Sequence, residues 1–176
     1  MSKVNYKENL KNIKAFIFDI DGVLTNGNVM ITTTGEMYRE MNTKDGYAIK
    51  CALDLDFKIA IISGGTNEGV RSRLKALGIE SIYLGAHHKI EPYEDFIFNY
   101  NLKPEKIVYM GDDTPDIEVM VKVGVSCCPK DAVTDVKEIA DYISHKKGGK
   151  GCVRDIIEQV LRVQGKWRNS IRAKND

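Results

Sequence analysis

Short apolar runs, each followed by an amphipathic stretch, constrain this chain more than any other feature of its sequence. The runs are AFIFDI (Ala15–Ile20), KIAIIS (Lys58–Ser63), SIYLG (Ser81–Gly85), KIVYMG (Lys106–Gly111) and VSCCP (Val125–Pro129), with a weaker DYIS around Tyr142. Each is too short for a helix and is apolar without strict alternation, the pattern of a parallel strand covered on both faces. The stretches between them carry helical periodicity. Ala48, Ile49, Ala52 and Leu53 share a face after Asp45; Val70, Leu74 and Leu77 share another after Thr66, with Gly78 as a stop signal. Ile90, Tyr93, Phe96, Ile97 and Tyr100 make a third, with Pro92 in a first turn that tolerates it. Pro115 opens a fourth that Gly124 closes. Val153, Ile156, Ile157, Val160 and Leu161 line a last helix from about Cys152 to Val163. Strand–helix alternation of this kind means βαβ units, so the expected fold class is α/β, an open parallel sheet between two helical layers. No repeat, low-complexity run or linker interrupts it. One domain is expected over residues 1–165, with 166–176 as a C-terminal tail.

Composition narrows the function by exclusion. The formal net charge of +1 gives no electrostatic reason to expect nucleic acid or an anionic membrane as partner. No stretch approaches the ~20 continuous apolar residues that span a bilayer. The opening MSKVNYKENLKNIK is polar and has no apolar signal core, so a cytoplasmic location is expected. Cys51, Cys127, Cys128 and Cys152 contain no CxxC pair and read as buried, reduced, structural residues.

The chemistry is concentrated at the ends of the apolar runs. FDIDGVLT (Phe18–Thr25) ends a buried strand in Asp19 and Asp21, followed at once by Gly22. Two like charges there raise each other's pKa unless a cation sits between them, and Mg²⁺ suits a few carboxylates plus phosphate oxygens. Taken alone, the same residues also fit a solvated Asp-x-Asp-Gly turn. KIAIIS ends on Ser63, then Gly64, Gly65 and Thr66 at a helix start, where a hydroxyl and free amides form an anion site; an N-cap is the simpler role for that serine. KIVYMG leads into GDDTPD, with Asp112, Asp113 and Asp116. Two acidic strand ends in one parallel sheet converge on one crevice, which needs a metal. Lys89, at the third helix start, can reach in to balance charge. One segment breaks the alternation: Asn28–Met41 (NVMITTTGEMYREM) reads as a β-hairpin around a Thr-Gly turn, beyond the carboxyl end of the first strand, where α/β folds place ligands.

This ordered set (DxD, Ser, Lys, GDDxxD) resembles the haloacid dehalogenase superfamily over nearly the whole chain. The resemblance implies that Asp19 attacks phosphorus to form an aspartyl-phosphate, and that Asp21 acts as general acid and then base. Ser63 and Lys89 would hold phosphoryl oxygens. Mg²⁺ would be held by the Asp19 carboxylate, the Asp21 backbone carbonyl and Asp112, with Asp116 orienting the groups around it. Asp21 to Ser63 holds only the hairpin and one helix, and Ser63 to Lys89 one strand–helix step, so no cap domain fits. The chain is similar to the capless group that acts on phosphorylated 2-keto-3-deoxy sugar acids, through FDIDGVLT, NTKDGYAIK, MGDDTPD, CCPKDAV and KKGGKGCVRDIIEQVL. By that resemblance Thr43, Lys44, Asp45, Gly46, Tyr47, Gly64 and Arg73 would line the sugar-acid site, together with Asp21 and Lys89. An arginine forks well onto a carboxylate. Gly64-Gly65 stands where relatives often carry a long charged side chain. Gly64 favours an eight-carbon substrate over a nine-carbon one of the sialic-acid type, whose enzymes are expected to carry an acid there. A third reading, a phosphate-binding module without chemistry, is disfavoured because Asp19, Asp21, Ser63, Lys89 and Asp112 are all present. The resemblance further implies a homotetramer in which hairpin arms associate and a neighbour completes each site. The tail GKWRNSIRAKND, with Lys166, Trp167 and Arg168, is expected either to be mobile on its own or to fold over an adjacent site.

Overall fold

In the computed structural model, which describes residues 5–167, the apolar runs pair into one parallel sheet. Its strands are β1 (Ala15–Phe18), β4 (Lys58–Ser63), β5 (Ser81–Leu84), β6 (Ile107–Met110), β7 (Val125–Cys128) and β8 (Tyr142–Ile143), in the order β5-β4-β1-β6-β7-β8. β1 is central, pairing Phe18 with Ile61 on one side and with Met110 on the other. After β1 the chain builds outward through β4 and β5, then returns to β6 on the opposite side. That reversal leaves a crevice at the carboxyl end of β1, the switch point at which open α/β sheets bind ligands.

Alternation along the strands divides two cores. Phe16, Phe18, Ile59, Ile61, Val108 and Met110 face one layer, formed by α2 (Thr43–Asp54), α3 (Glu68–Ala76) and α7 (Cys152–Val163). Ala15, Ile17, Ala60, Ile62, Ile107 and Tyr109 face the other, formed by α4 (Ile90–Asn99), α5 (Ile117–Met120) and α6 (Thr134–Ile139). With both faces covered, the strands need no polar positions, which explains their unbroken apolar character. All four cysteines are free and buried. No helix among the described residues is long and apolar enough to cross a membrane.

The predicted hairpin forms, as β2 (Met30–Ile31) and β3 (Met37–Tyr38), antiparallel with Met30 opposite Tyr38. Among the described residues no cap domain is inserted: β1 is followed only by the turn at Ile20–Leu24, this arm and α2 before β4, and β4 only by α3 before β5. Helix starts differ slightly from the sequence reading. α2 begins at Thr43 because Asn42 caps it, accepting from the Lys44 N–H at 2.9 Å, and Asn67 caps α3 in the same way through Val70. Three elements were not anticipated. α1 (Tyr6–Asn9) and the tight turn Leu10–Asn12 open the chain, and α6 lies between β7 and β8. The first two were hidden because only Leu10 and Ile13 in that polar stretch are buried, where Gln164 Nε2 donates to both their carbonyls. At the other end, Lys166 lies over the Phe57 ring and Trp167 beneath the guanidiniums of Arg154 and Arg162. Arg168 and the rest of the tail lie outside the described residues.

Candidate active site

The carboxyl end of β1 is fixed before it turns. The Asp19 N–H donates to the Met110 carbonyl at 3.1 Å, extending the strand pairing by one residue. The chain then closes a five-residue turn, Thr25 N–H to Ile20 O at 3.0 Å, through Gly22 at φ +90°. Glycine is required twice over at that position, for the left-handed backbone and because a Cβ there would overlap the Asp112 carboxylate. The turn is braced from the far end of the chain. Gly149 N–H donates to Val23 O at 2.9 Å, and a Cβ on Gly148 would overlap the Gly22 carbonyl. The basic, glycine-rich segment thus lies flat against the acidic turn.

Around this turn the other strand ends deliver their groups. Asp19 is buried, with Oδ1 accepting from the Ile20 N–H at 2.7 Å and Oδ2 facing Lys89 Nζ at 3.0 Å. Lys89 sits just ahead of α4 and reaches Asp116 Oδ1 at 2.7 Å as well. Ser63, at the end of β4, is buried, and its Oγ accepts from Gly65 N–H at 3.4 Å. Asp116 is fully buried and saturated: Tyr109 Oη and Lys89 donate to Oδ1, and the Asp112 and Asp113 N–H groups donate to Oδ2. It therefore shapes the loop and holds the lysine. Asp113 is exposed and turned away, capping the next turn through the Thr114 N–H at 2.7 Å. Asp112 differs: its Oδ1 is buried and, among the described residues, has no hydrogen-bond partner.

The electrostatics follow from this crowding. Burial, then the neighbouring Asp116, pushes Asp19 up to about 6 even though Lys89 opposes the shift. Burial, then Asp19, Asp116 and Asp113, pushes Asp112 up to about 7. Burial alone would lower the Lys89 pKa, but Asp19 and Asp116 outweigh it and raise it. Carboxylate oxygens of Asp19, Asp112 and Asp116 lie within 4.8 Å of one another, close enough for a cation. Of the three, Asp116 is already fully bonded, which leaves Asp19 and the orphaned Asp112 oxygen as the natural ligands. An unpartnered buried carboxylate oxygen beside a second carboxylate fits a hard divalent cation such as Mg²⁺.

Asp19, Asp21, Ser63, Gly64, Lys89 and Asp112 thus line one cleft of about 440 Å³. The remaining predicted residues lie elsewhere in the chain. Thr43 and Lys44 are exposed at the start of α2, and Tyr47 is half-buried beneath the Arg154 guanidinium. Asp45 is buried, accepts from the Arg154 N–H at 2.7 Å in the first turn of α7, and is pushed up by burial to about 6. Arg73 lies across Gly46, and it lines a separate groove of about 570 Å³ with hairpin residues Met37, Tyr38 and Arg39. Sequence reasoning missed two residues. Tyr109 is an inward-facing strand residue whose hydroxyl secures Asp116. Arg39, just past β3, forks onto Asp21, Nε to Oδ1 at 2.7 Å and Nη2 to Oδ2 at 3.0 Å, and this pairing raises its own pKa. In the sequence it stands out only as the single arginine of the Asn28–Met41 arm.

Paired acids, a buried lysine and a hydroxyl followed by a glycine loop at the switch point of a capless parallel sheet define a phosphoryl-transfer hydrolase of the haloacid dehalogenase type. A family profile described as haloacid dehalogenase-like hydrolase matches residues 82–156. The chain is 38% identical over 156 residues, 89% of its length and 83% of the relative's, to the 3-deoxy-D-manno-octulosonate 8-phosphate phosphatase of Salmonella typhi. It superposes on the crystal structure of the Yersinia pestis phosphatase of the same name with a TM-score of 0.91 at 33% identity, covering 93% of this chain and 89% of that one. The Moraxella catarrhalis phosphatase, solved in complex with magnesium, phosphate and KDO, matches with a TM-score of 0.91 at 27% identity, covering 94% and 95%. The chain belongs to the 3-deoxy-D-manno-octulosonate 8-phosphate phosphatase family of haloacid dehalogenase-like hydrolases.

Proposed function

We propose that this protein hydrolyses 3-deoxy-D-manno-octulosonate 8-phosphate to the free sugar acid and phosphate, supplying the sugar for lipopolysaccharide synthesis in the cytoplasm. The observation that carries the reading is the meeting of Asp19, Asp112, Lys89 and Ser63 in one cleft, in a chain 38% identical to phosphatases of that name. Residues 1–165 act as one catalytic domain.

Asp19 is the nucleophile. Its Oδ2, held by Lys89, attacks phosphorus while the bond to the sugar oxygen breaks, giving an aspartyl-phosphate and an alkoxide that takes its proton from Asp21. Water then attacks the phosphoenzyme; Asp21 takes its proton back, and phosphate leaves with Asp19 restored. Ser63 Oγ, the Gly64 and Gly65 amides and Lys89 Nζ carry the phosphoryl oxygens, preorganised donors where charge develops. Asp19, Asp112 and the Asp21 carbonyl hold Mg²⁺, which when bound neutralises charge on the transferring group. Raised carboxyl pKa values at Asp19 and Asp112 support this, since a site that burdens its own anions is one that a cation relieves.

Specificity and enclosure come from assembly. The hairpin exposes Met30, Ile31, Met37 and Tyr38 at 47–69%, an apolar arm too small to be stable alone. These residues associate in a homotetramer, and a neighbour brings the sugar-acid contacts that Thr43–Tyr47 and Arg73 do not make within one chain. The test is phosphate release across a panel containing 3-deoxy-D-manno-octulosonate 8-phosphate, a nine-carbon 2-keto-3-deoxy acid 9-phosphate and glucose 6-phosphate, with Mg²⁺ and with chelator. The eight-carbon acid should give the highest kcat/KM, and only with Mg²⁺. Equal rates on glucose 6-phosphate, or preference for the nine-carbon acid, would sink the substrate assignment.

A further inference from the structure

We propose that Arg39 is the positioning residue for Asp21, holding the acid/base carboxylate by a two-point fork delivered from the hairpin arm. This rests on the acid/base role of Asp21 in the reading above. Asp19 is held by a backbone amide and a lysine; Asp21 has neither. Among the described residues its carboxylate meets only Arg39, at 2.7 and 3.0 Å, and the Thr25 hydroxyl at 3.3 Å. Its side chain is one-third exposed, so without the fork it would sample several rotamers. A fork of two parallel N–H bonds fixes both the distance and the plane of a carboxylate, which a point charge does not.

Three observations show that the arginine is committed to this task. Its side chain is only 8% exposed although it stands on a hairpin that is otherwise open to solvent. Its Nη1 is buried with no hydrogen-bond partner among the described residues. A buried charged donor left unpaired is costly, so the position is dictated by Asp21 rather than by the arginine's own needs. The backbone that carries it is pinned: Asn67 Nδ2 donates to Met37 O at 2.9 Å while Asn67 Oδ1 caps α3. Gly65 completes the arrangement. A Cβ there would lie 3.6 Å from Asp21 Oδ2, 3.7 Å from Arg39 Nη2 and 3.8 Å from Ser63 Oγ. The guanidinium stands where a long side chain on residue 65 would project. This chain therefore places a cation beside its acid/base from the hairpin, and the glycine pair after Ser63 is the matching vacancy.

The test uses the full-length protein with Mg²⁺ and 3-deoxy-D-manno-octulosonate 8-phosphate. Arg39→Ala should lower kcat by roughly 10- to 100-fold, as for residues that orient a reacting side chain, with KM changed less than about threefold. Arg39→Lys should fall between, since a point charge restores attraction without the fork. Added guanidinium ion in the millimolar range should recover part of the kcat of Arg39→Ala and none of that of Arg39→Lys. In an Asp21→Asn background, Arg39→Ala should cost less than about twofold, because the residue it positions no longer transfers a proton. A normal kcat in Arg39→Ala, a rise confined to KM, or full additivity with Asp21→Asn overturns the proposal while leaving the phosphatase reading intact. If Asp21→Asn alone turned over normally, the acid/base reading would fall and take the proposal with it.

Discussion

The cleft at the carboxyl edge of the sheet and the hairpin beside it are built on opposite terms. In the cleft, four strand ends converge on groups that satisfy one another: Asp116 takes four donors, Lys89 bridges two acids, and Asp112 Oδ1, unpartnered among the described residues, stands beside Asp19 to receive a cation. In the hairpin, a two-stranded ribbon holds apolar side chains out into solvent and is tied to the body through Asn67 and Arg39. In the proposed function the chain completes its chemistry internally and leaves its enclosure to another subunit. Catalysis and selectivity should therefore separate under mutation.

The largest effects belong to the cleft. Asp19→Ala should reduce phosphate release by at least about 10⁴-fold, the scale on which single members of a covalent catalytic unit act. If turnover survives that change, the cleft is not the reaction centre and the contrast collapses. Next comes Gly22→Ala. Its methyl group would enter the space of the Asp112 carboxylate, so Mg²⁺ affinity by titration calorimetry should weaken roughly 10- to 100-fold, with a parallel loss of activity at low Mg²⁺. Unchanged affinity would mean that Asp112 is not a ligand.

The hairpin predicts a smaller and more selective change. Ile31→Glu or Met37→Glu should shift the protein toward monomers in light scattering, because burying an unpaired carboxylate in an apolar contact is unfavourable. kcat/KM for the sugar-acid phosphate should fall about tenfold, the loss of roughly 1.4 kcal/mol of binding. Turnover of p-nitrophenyl phosphate, which needs no enclosure, should hold within about threefold. A monomer fully active on both substrates would refute the division of labour.

A pH experiment sharpens the same contrast. Asp19 and Asp45 are raised to about 6 and Asp112 to about 7, above the unfolded value near 4. The folded state then binds protons more readily than the unfolded state. The stabilisation from these groups is complete below about pH 4 and is lost as pH rises through 6 to 7. In chelator the melting temperature should fall across that window. With Mg²⁺ the slope should flatten, since the cation replaces the protons at Asp19 and Asp112 but not at Asp45. A metal-free stability that climbs between pH 4 and 7 would contradict the burial described here. The smallest effect is expected at Asp113. Asp113→Ala removes a helix-turn cap worth about 1 kcal/mol and should leave kcat within about threefold, in sharp contrast with Asp112→Asn.

Asp112 and Asp113 also mark the limit of what the sequence discloses. The sheet was legible because doubly covered strands must be apolar throughout, and the convergence of acids followed from parallel topology. Adjacent aspartates, however, are identical in sequence and are told apart only by backbone geometry, which turns Asp113 into a cap and leaves Asp112 against Gly22. Arg39 was invisible for a related reason: its approach to Asp21 depends on the angle at which the hairpin leaves the body, which no periodicity encodes. The N-terminal turn escaped notice because two buried apolar residues suffice to anchor it once α7 supplies the rest. The Thr43–Tyr47 segment, expected at the sugar-acid site, stands outside the cleft of its own chain, with Asp45 committed to the first turn of α7.

The contact of Gly148 and Gly149 with the turn at Gly22–Thr25 bears on when activity can first arise during synthesis. The loop carrying Asp19 and Asp21 leaves the ribosome early, but the backbone that braces it, Gly149 onto Val23, and the thiol of Cys152, which donates to Val23 O at 3.2 Å, are translated more than a hundred residues later. Local contacts form first and distant ones wait for the chain that supplies them. A nascent polypeptide stalled before residue 148 would carry every acid of the reaction centre and still lack the scaffold that holds them in register. A chain truncated before residue 148 should therefore release no phosphate, although it retains Asp19, Asp21, Asp112 and Asp116.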